Sequence, residues 1–331
     1  MSSGLSKSKS MALERATMQK VEAEKILGKM TIFGFGKSQK HGDAADKFKD
    51  AGNSFKMGED FGNAAEMYEK ASENYKIGES ETDTVSMMVE AATCYEKTNK
   101  DKAVASYQKA IEFYNMAGRW QRSSQYLKKV AEIYEAEGSI EGAMEAYEEA
   151  ASMYANDGKP SQAQTCNLKI AGMAATAEMY DRAAKIYGDI GISCMDSNLG
   201  KYAAKGHFFS AALCLLAIGD LVQIQNKLEE FKNADFSFGT SRECQFLEQL
   251  VEAVSENSSQ AYAQACADYD RISPLDHQKT SILMKGKSHI MEESDEVDLN
   301  QGGDEDTGAL ADALEKVNVV QEGEEDEEDL T

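Results

Sequence analysis

Apolar positions along the first two thirds of the chain recur with helical spacing, and the spacing itself repeats. The strings "YEKASENY" (68–75), "YQKAIEFY" (107–114) and "YEEAASMY" (147–154) each place an aromatic residue, an alanine three positions on and a second aromatic four beyond that. "FKDAGNSF" (48–55) follows the same rule, and "LKKVAEIY" (127–134) follows it with Leu and Val substituted. Steps of i, i+3 and i+7 align side chains on one stripe of a helix, so each string predicts an amphipathic helix whose Tyr/Phe/Ala stripe is core. Tyr68 and Tyr107 are 39 residues apart, and Tyr107, Tyr147 and Tyr187 follow at intervals of 40. Gly58, Gly78, Gly118, Gly138 and Gly158 fall on a 20-residue ruler. Glycine tolerates the left-handed conformation that ends helices, so each is predicted as a C-terminal cap. One helix and turn per 20 residues gives an antiparallel pair per 40. That is the logic of a tetratricopeptide-like α-solenoid, with a repeat somewhat longer than the usual ~34 residues.

Beyond Asp189 the register loosens. "KYAAKGHFFSAALCLLAIGD" (201–220) is apolar enough for a buried helix, while "ECQFLEQLVEAVSE" (243–256) and "SQAYAQACADYDRI" (259–272) are amphipathic. An all-α chain is expected, in four parts: an N-terminal extension (1–22), a helical repeat sheet (23–190), a C-terminal helical bundle (191–290) and a tail (291–331). The tail is expected to be mostly disordered on its composition, although "GALADALEKVNVV" (308–320) spaces Leu310, Leu314 and Val317 as a short helix would.

Charge sharpens this division. The net charge is −23, but residues 291–331 hold 17 Asp and Glu against Lys316 alone, a balance of −16, leaving −7 for the first 290. Residues 1–40 carry eight Lys and Arg against three Glu. The acidic balance argues against nucleic-acid binding, which needs cations to displace counterions; the basic head suits an anionic surface. Six cysteines lie scattered without a Cys-x-x-Cys pair. They read as reduced, mostly buried thiols of a cytosolic protein. No signal peptide and no run of the ~20 apolar residues that cross a bilayer stand out.

Candidate chemistry is sparse. "GKMTIFGFGKSQK" (28–40) contains a GKS triplet, but a phosphate-binding loop requires glycine five positions before Gly36, where Thr31 stands. His41, His207, His277 and His289 show no metal-ligand spacing, and His207 beside Phe208 and Phe209 reads as a packed residue. No nucleophile, base and orienting group assemble. Neither an enzyme nor a cofactor or metal site is expected.

The strings "DAGNSFKMGEDF" (50–61), "AIEFYNMAGRW" (110–120), "AEIYEAE" (131–137), the stretch 199–214, "SRECQFLEQLVEA" (241–253) and "YDRISPLD" (269–276) resemble, in order and with few gaps, the alpha-type soluble NSF attachment proteins. The resemblance runs from about Ala23 to Leu299. It implies a twisted sheet of helix hairpins followed by a helical bundle. It also implies a function: several copies wrap an assembled SNARE four-helix complex and recruit the hexameric AAA+ ATPase NSF, which disassembles it. The location implied is cytoplasmic, peripheral on the cytosolic face of endomembranes.

Residue roles follow from the resemblance. An apolar loop (29–37) touches the membrane through Met30, Ile32, Phe33 and Phe35. Four partly inserted side chains of this size contribute about 5 kcal/mol, and Lys29, Lys37 and Lys40 add up to ~1 kcal/mol each on an anionic leaflet. Basic residues meet the acidic SNARE bundle at Arg119, Arg122, Lys169, Lys201 and Lys205, while Gln125 and Thr165 stand where animal members carry lysine. Glu252 and Glu256 meet the ATPase, with Ser255 departing from a third acidic position. A penultimate leucine in an acidic end stimulates hydrolysis; Leu330 in "EEDEEDLT" keeps the free terminus, and Leu299 in "EVDLN" is the second candidate. The competing reading is a generic tetratricopeptide scaffold of the cochaperone type, which leaves the apolar loop and the "DLT" ending unexplained.

Overall fold

A computed structural model of the chain describes residues 2–29, 36–196 and 200–290. Among these residues all regular structure is helical. The order is α1 (Ser2–Leu27), α2 (Lys37–Met57), α3 (Phe61–Ile77), α4 (Glu81–Tyr95), α5 (Lys100–Met116), α6 (Trp120–Ala136), α7 (Ile140–Asn156) and α8 (Pro160–Thr176). It continues with α9 (Tyr180–Cys194), α10 (Gly200–Ile218), α11 (Leu221–Ala234), α12 (Phe236–Gly239), α13 (Arg242–Ser255), α14 (Ser259–Asp270) and α15 (His277–Lys287). The chain divides into two compact units, one ending at Ala177 and one beginning at Glu178. The division therefore falls ahead of residue 190, where the repeat was expected to end, and α9 packs along α10 within the second unit. Residues 2–22 form most of α1, which packs along α2.

In the first unit each helix packs on the next in the chain, as a solenoid requires. The predicted stripe is the core. Tyr68, Tyr107 and Tyr147 are buried, as are Tyr75, Tyr114 and Tyr154, and the alanines between them (Ala71, Ala110 and Ala150) have no exposure. Burying a phenol requires a partner for its hydroxyl, and the structure supplies one from the preceding helix or its cap. Tyr75 donates to Asp46 (2.5 Å), Tyr95 to Glu69 (2.7 Å), Tyr107 to Glu96 (2.6 Å) and Tyr147 to Glu135 (2.9 Å). Between α5 and α6 the tie is a ring stack, with Tyr126 lying over Tyr107 and Tyr114 at centroid distances of 5.5 and 5.6 Å.

The glycine ruler marks helix ends as expected, with Gly58 and Gly78 the C-caps of α2 and α3, but the backbone conformation divides it. Gly118, Gly138 and Gly158 take the left-handed conformation, with φ of 65°, 73° and 69°. Gly58 and Gly78 do not; Glu59 and Glu79, one residue later, take it instead (φ 62° at each). Those two glycines answer to crowding. A Cβ at Gly58 would fall 2.5 Å from Leu13 of α1, and one at Gly78 would fall 3.3 Å from the Gly42 nitrogen of α2.

The second unit is built around α10, on which Phe208, Leu213, Cys214, Leu215 and Leu216 are all buried. A helix apolar all round belongs inside. Phe208 stacks on Phe231 at 4.5 Å and meets Phe238 at 5.5 Å, while Phe246 stacks on Tyr269 at 4.3 Å. Gly191 of α9 leaves room for the Phe208 ring, since a Cβ there would come within 2.5 Å of it. His289 lies 2.8 Å from the Ala217 carbonyl through Nε2 and so ties the segment after α15 to the end of α10. All six cysteines are buried, and none forms a disulfide.

Candidate partner-binding surfaces

The basic positions belong to two separate sets. In the first unit Arg119 precedes α6 and Arg122 lies in its first turn; both are exposed, and Lys169 is exposed on α8. Along α6, Arg122, Gln125 and Lys129 recur at helical spacing on one solvent face. Gln125 is exposed there, and Lys129 pairs with Glu132 at 3.1 Å. Thr165 adds nothing to the face, because its hydroxyl donates back to the Ser161 carbonyl of its own helix at 2.9 Å.

Lys169 is the position whose surroundings differ most from the expectation. It donates to Glu135 at 2.7 Å, and Glu135 also accepts from Tyr147 at 2.9 Å. Burial alone would raise the Glu135 carboxyl, but the hydrogen bonds from Lys169 and Tyr147 outweigh it and hold the group below the ordinary carboxylate value. Lys169 is thus bridged to α6 rather than standing alone as a solvated cation. Sequence reasoning missed Glu135 because its partners lie 34 and 12 positions away; the one signal available was a carboxylate at the end of a helix followed by a tyrosine stripe.

In the second unit Lys201 and Lys205 are one helical turn apart at the start of α10, Lys201 exposed and Lys205 half-buried. Between them Tyr202 is 86% exposed, which makes this a mixed cationic and aromatic surface. His207, half-buried just beyond, is held below the ordinary histidine value by burial.

Glu252 and Glu256 are exposed at the C-terminal end of α13. Anions there oppose the helix macrodipole, whose negative end lies at the C-terminus, so cations brought by a partner gain twice over. Ser255, where the resemblance implies an acid, turns its hydroxyl onto the Glu252 carbonyl at 2.8 Å. Near the opening motif, Lys40 donates to the carbonyls of Leu27 and Lys29 at 3.2 and 3.0 Å, closing the end of α1. Ser38 of the GKS triplet donates to the Gly78 carbonyl at 3.0 Å. The triplet therefore ties the start of α2 to the end of α3, and Lys40 just beyond it ties α2 to the end of α1. Met30, Ile32, Phe33 and Phe35, like Leu299 and Leu330, lie outside the described residues.

The sequence model of the family described as "Soluble NSF attachment protein, SNAP" matches residues 14–291. The chain belongs to this family. The alpha-soluble NSF attachment protein of Dictyostelium discoideum is 40% identical over 266 residues, which cover 80% of this chain and 91% of the relative. That of Vitis vinifera is 33% identical over 278 residues, covering 84% and 95%. A probable vesicular-fusion protein of Schizosaccharomyces pombe is 31% identical over 281 residues, covering 85% and 97%. As a member of this family the chain is an adaptor; these relatives are named for attachment and vesicular fusion. Among the described residues no helix is long and apolar enough to cross a membrane.

Proposed function

We infer that this protein is an adaptor of SNARE disassembly: it binds assembled SNARE four-helix complexes and recruits and stimulates the NSF ATPase, which supplies the hydrolysis. The observation that carries this reading is the family match from residue 14 to residue 291, which spans both units. A generic tetratricopeptide scaffold is not favoured, since a shared period alone would not extend the match through the non-repetitive second unit.

Within that role Arg119, Arg122 and Lys169 in the first unit, and Lys201 and Lys205 in the second, provide the cationic contacts to the SNARE bundle. Several copies act on each bundle, because single exposed ion pairs are weak and only a clustered field grips. Glu252 and Glu256 engage basic patches of the ATPase, and Leu330, with Leu299 as the second candidate, stimulates it. Met30, Ile32, Phe33 and Phe35 hold the adaptor on the cytosolic face of endomembranes by a reversible apolar contact with an anionic leaflet. Nucleic acid is not a partner.

The test is reconstituted disassembly with purified ATPase and magnesium-ATP, run on soluble and on liposome-borne SNARE complexes. The wild-type chain is expected to support both. Phe33→Ser with Phe35→Ser is expected to lose the liposome reaction and keep the soluble one. Failure of the wild-type chain on both substrates refutes the adaptor reading, and equal loss by the double variant on both refutes the loop assignment.

A further inference from the structure

A groove of about 600 Å³ opens between α5 and α7 over α6 and takes no part in the roles above. Its size is that of clefts that enclose small ligands. The floor is apolar and buried, formed by Ile111 of α5, Leu127 and Val130 of α6 and Ala146 of α7. The rim is anionic: Glu112, Glu145 and Glu149 are all exposed, and among the described residues no lysine or arginine pairs with any of them.

Two polar groups on the lining lack a protein partner. The Oδ1 of Asn115, on the groove lining, is shielded from solvent and accepts no hydrogen bond; a buried acceptor left unpaired is costly. The Ser139 hydroxyl, also on the lining, stands at the cap position of α7 without making the capping bond. Gly142 keeps the space beside Ser139 open, since a Cβ there would lie 3.1 Å from Ser139 Oγ and 3.5 Å from the Tyr134 ring. At 100° per residue, Leu127, Val130 and Tyr134 share one side of α6, and Arg122, Gln125 and Lys129 lie on another. The groove is therefore distinct from the cationic face assigned to the SNARE bundle.

We propose that this groove is a second protein-binding site, which takes a short cationic peptide segment of a partner protein with an aliphatic anchor. The anchor rests on Leu127, Val130 and Ile111. Flanking Lys or Arg side chains pair with Glu112, Glu145 and Glu149. Charge selects this occupant. An acidic SNARE bundle, an anionic leaflet and the −16 tail of this chain would all be repelled by the rim.

The test uses the full-length chain and a fluorescein-labelled synthetic peptide, acetyl-KRLLRK-amide, followed by anisotropy. A photo-crosslinking version is mapped by mass spectrometry. Saturable binding that weakens with salt is expected, with cross-links on α5, α6 and α7. Glu112→Gln, Glu145→Gln and Glu149→Gln together should weaken it about tenfold. Glu66→Gln, Glu73→Gln and Glu81→Gln, which remove the same charge from exposed positions on α3 and α4, should change it little. Replacing the two leucines of the peptide by serine should weaken it, and the groove variant should retain SNARE disassembly. Equal losses for the two triple variants, cross-links elsewhere, indifference to the leucines, absence of saturable binding or a parallel loss of disassembly would each overturn the proposal.

Discussion

Replacing Glu135 by glutamine measures how free Lys169 is to meet a partner. The two side chains are 49% and 35% exposed, with Nζ 2.7 Å from the carboxylate, so water screens the pair and its worth is ~0.2–1 kcal/mol. The hydrogen bonds from Lys169 and Tyr147 hold the carboxyl below its ordinary value against the effect of burial. Its contribution is therefore present above the unfolded carboxylate pKa of about 4.3 and is lost as pH falls through the lower folded value. At neutral pH an acidic partner must compete with Glu135 for Lys169. Glutamine keeps an oxygen for the Tyr147 hydroxyl but gives up the charge. Glu135→Gln should cost at most ~1 kcal/mol of stability and flatten the acid side of the stability profile. It should tighten SNARE binding by up to about fivefold, the equivalent of 1 kcal/mol. Titration of a labelled soluble SNARE complex at two ionic strengths, beside a thermal melt, reads both effects. If Glu135→Gln weakens SNARE binding while the melt is preserved, Glu135 positions Lys169 rather than competing for it, and the reasoning fails.

Reversing charge with Lys201→Glu and Lys205→Glu should lower SNARE affinity by about tenfold and make it less sensitive to salt; unchanged binding at low salt would remove these residues from the interface. Gly191→Ala places a methyl group 2.5 Å from the Phe208 ring and should destabilise the second unit by ~1–3 kcal/mol, read as a lower melting temperature, with an unshifted melt refuting the packing argument. Burial holds His207 below the ordinary histidine value, so the unfolded chain binds the proton first. Stability should accordingly fall as pH drops below about 6.5 towards the folded value, and His207→Gln should flatten that slope in urea titrations taken between neutral and mildly acidic pH.

The repeat was legible because one buried stripe per helix is a one-dimensional signal: Tyr68, Tyr107 and Tyr147 keep their interval whatever the surrounding polar residues do. The glycine ruler was legible as a set of helix ends, but its two causes were not. At Gly118, Gly138 and Gly158 the backbone conformation selects glycine, whereas at Gly58 and Gly78 a neighbouring helix does, and the two causes look alike in a string of letters. α9 carries the repeat's tyrosine, Tyr187, while packing along α10, so the letters alone place it with the repeat and the packing places it with the second unit. The basic positions came from resemblance, and neither resemblance nor spacing reveals that Lys169 is already bridged to another helix. The groove left no trace in the sequence. Its floor residues look like ordinary core and its glutamates like an ordinary solvated face, and only the gap between α5 and α7 turns them into a site.

The tyrosine ties bear on how such an adaptor grips. From α2 to α7 each helix is joined to the next by a phenol–carboxylate bond or a ring stack, in addition to buried apolar contact. Fixing the angle between neighbours at two kinds of contact leaves the first unit little room to adapt when a partner arrives. Its binding face is then preorganised, and little ordering entropy is lost on association. In a preorganised face, removing one cation leaves the encounter and the remaining contacts much as they were, so the loss should appear mainly in the dissociation rate. Loosening a tie, as in Tyr107→Phe, should instead act on every contact of the first unit together. It should slow productive association, because the correct face would be present for only part of the time. Stopped-flow association and dissociation rates for Arg122→Ala and Tyr107→Phe against the same SNARE complex separate the two effects. An identical split between on-rate and off-rate in both variants would show that the ties stabilise the unit without shaping its surface.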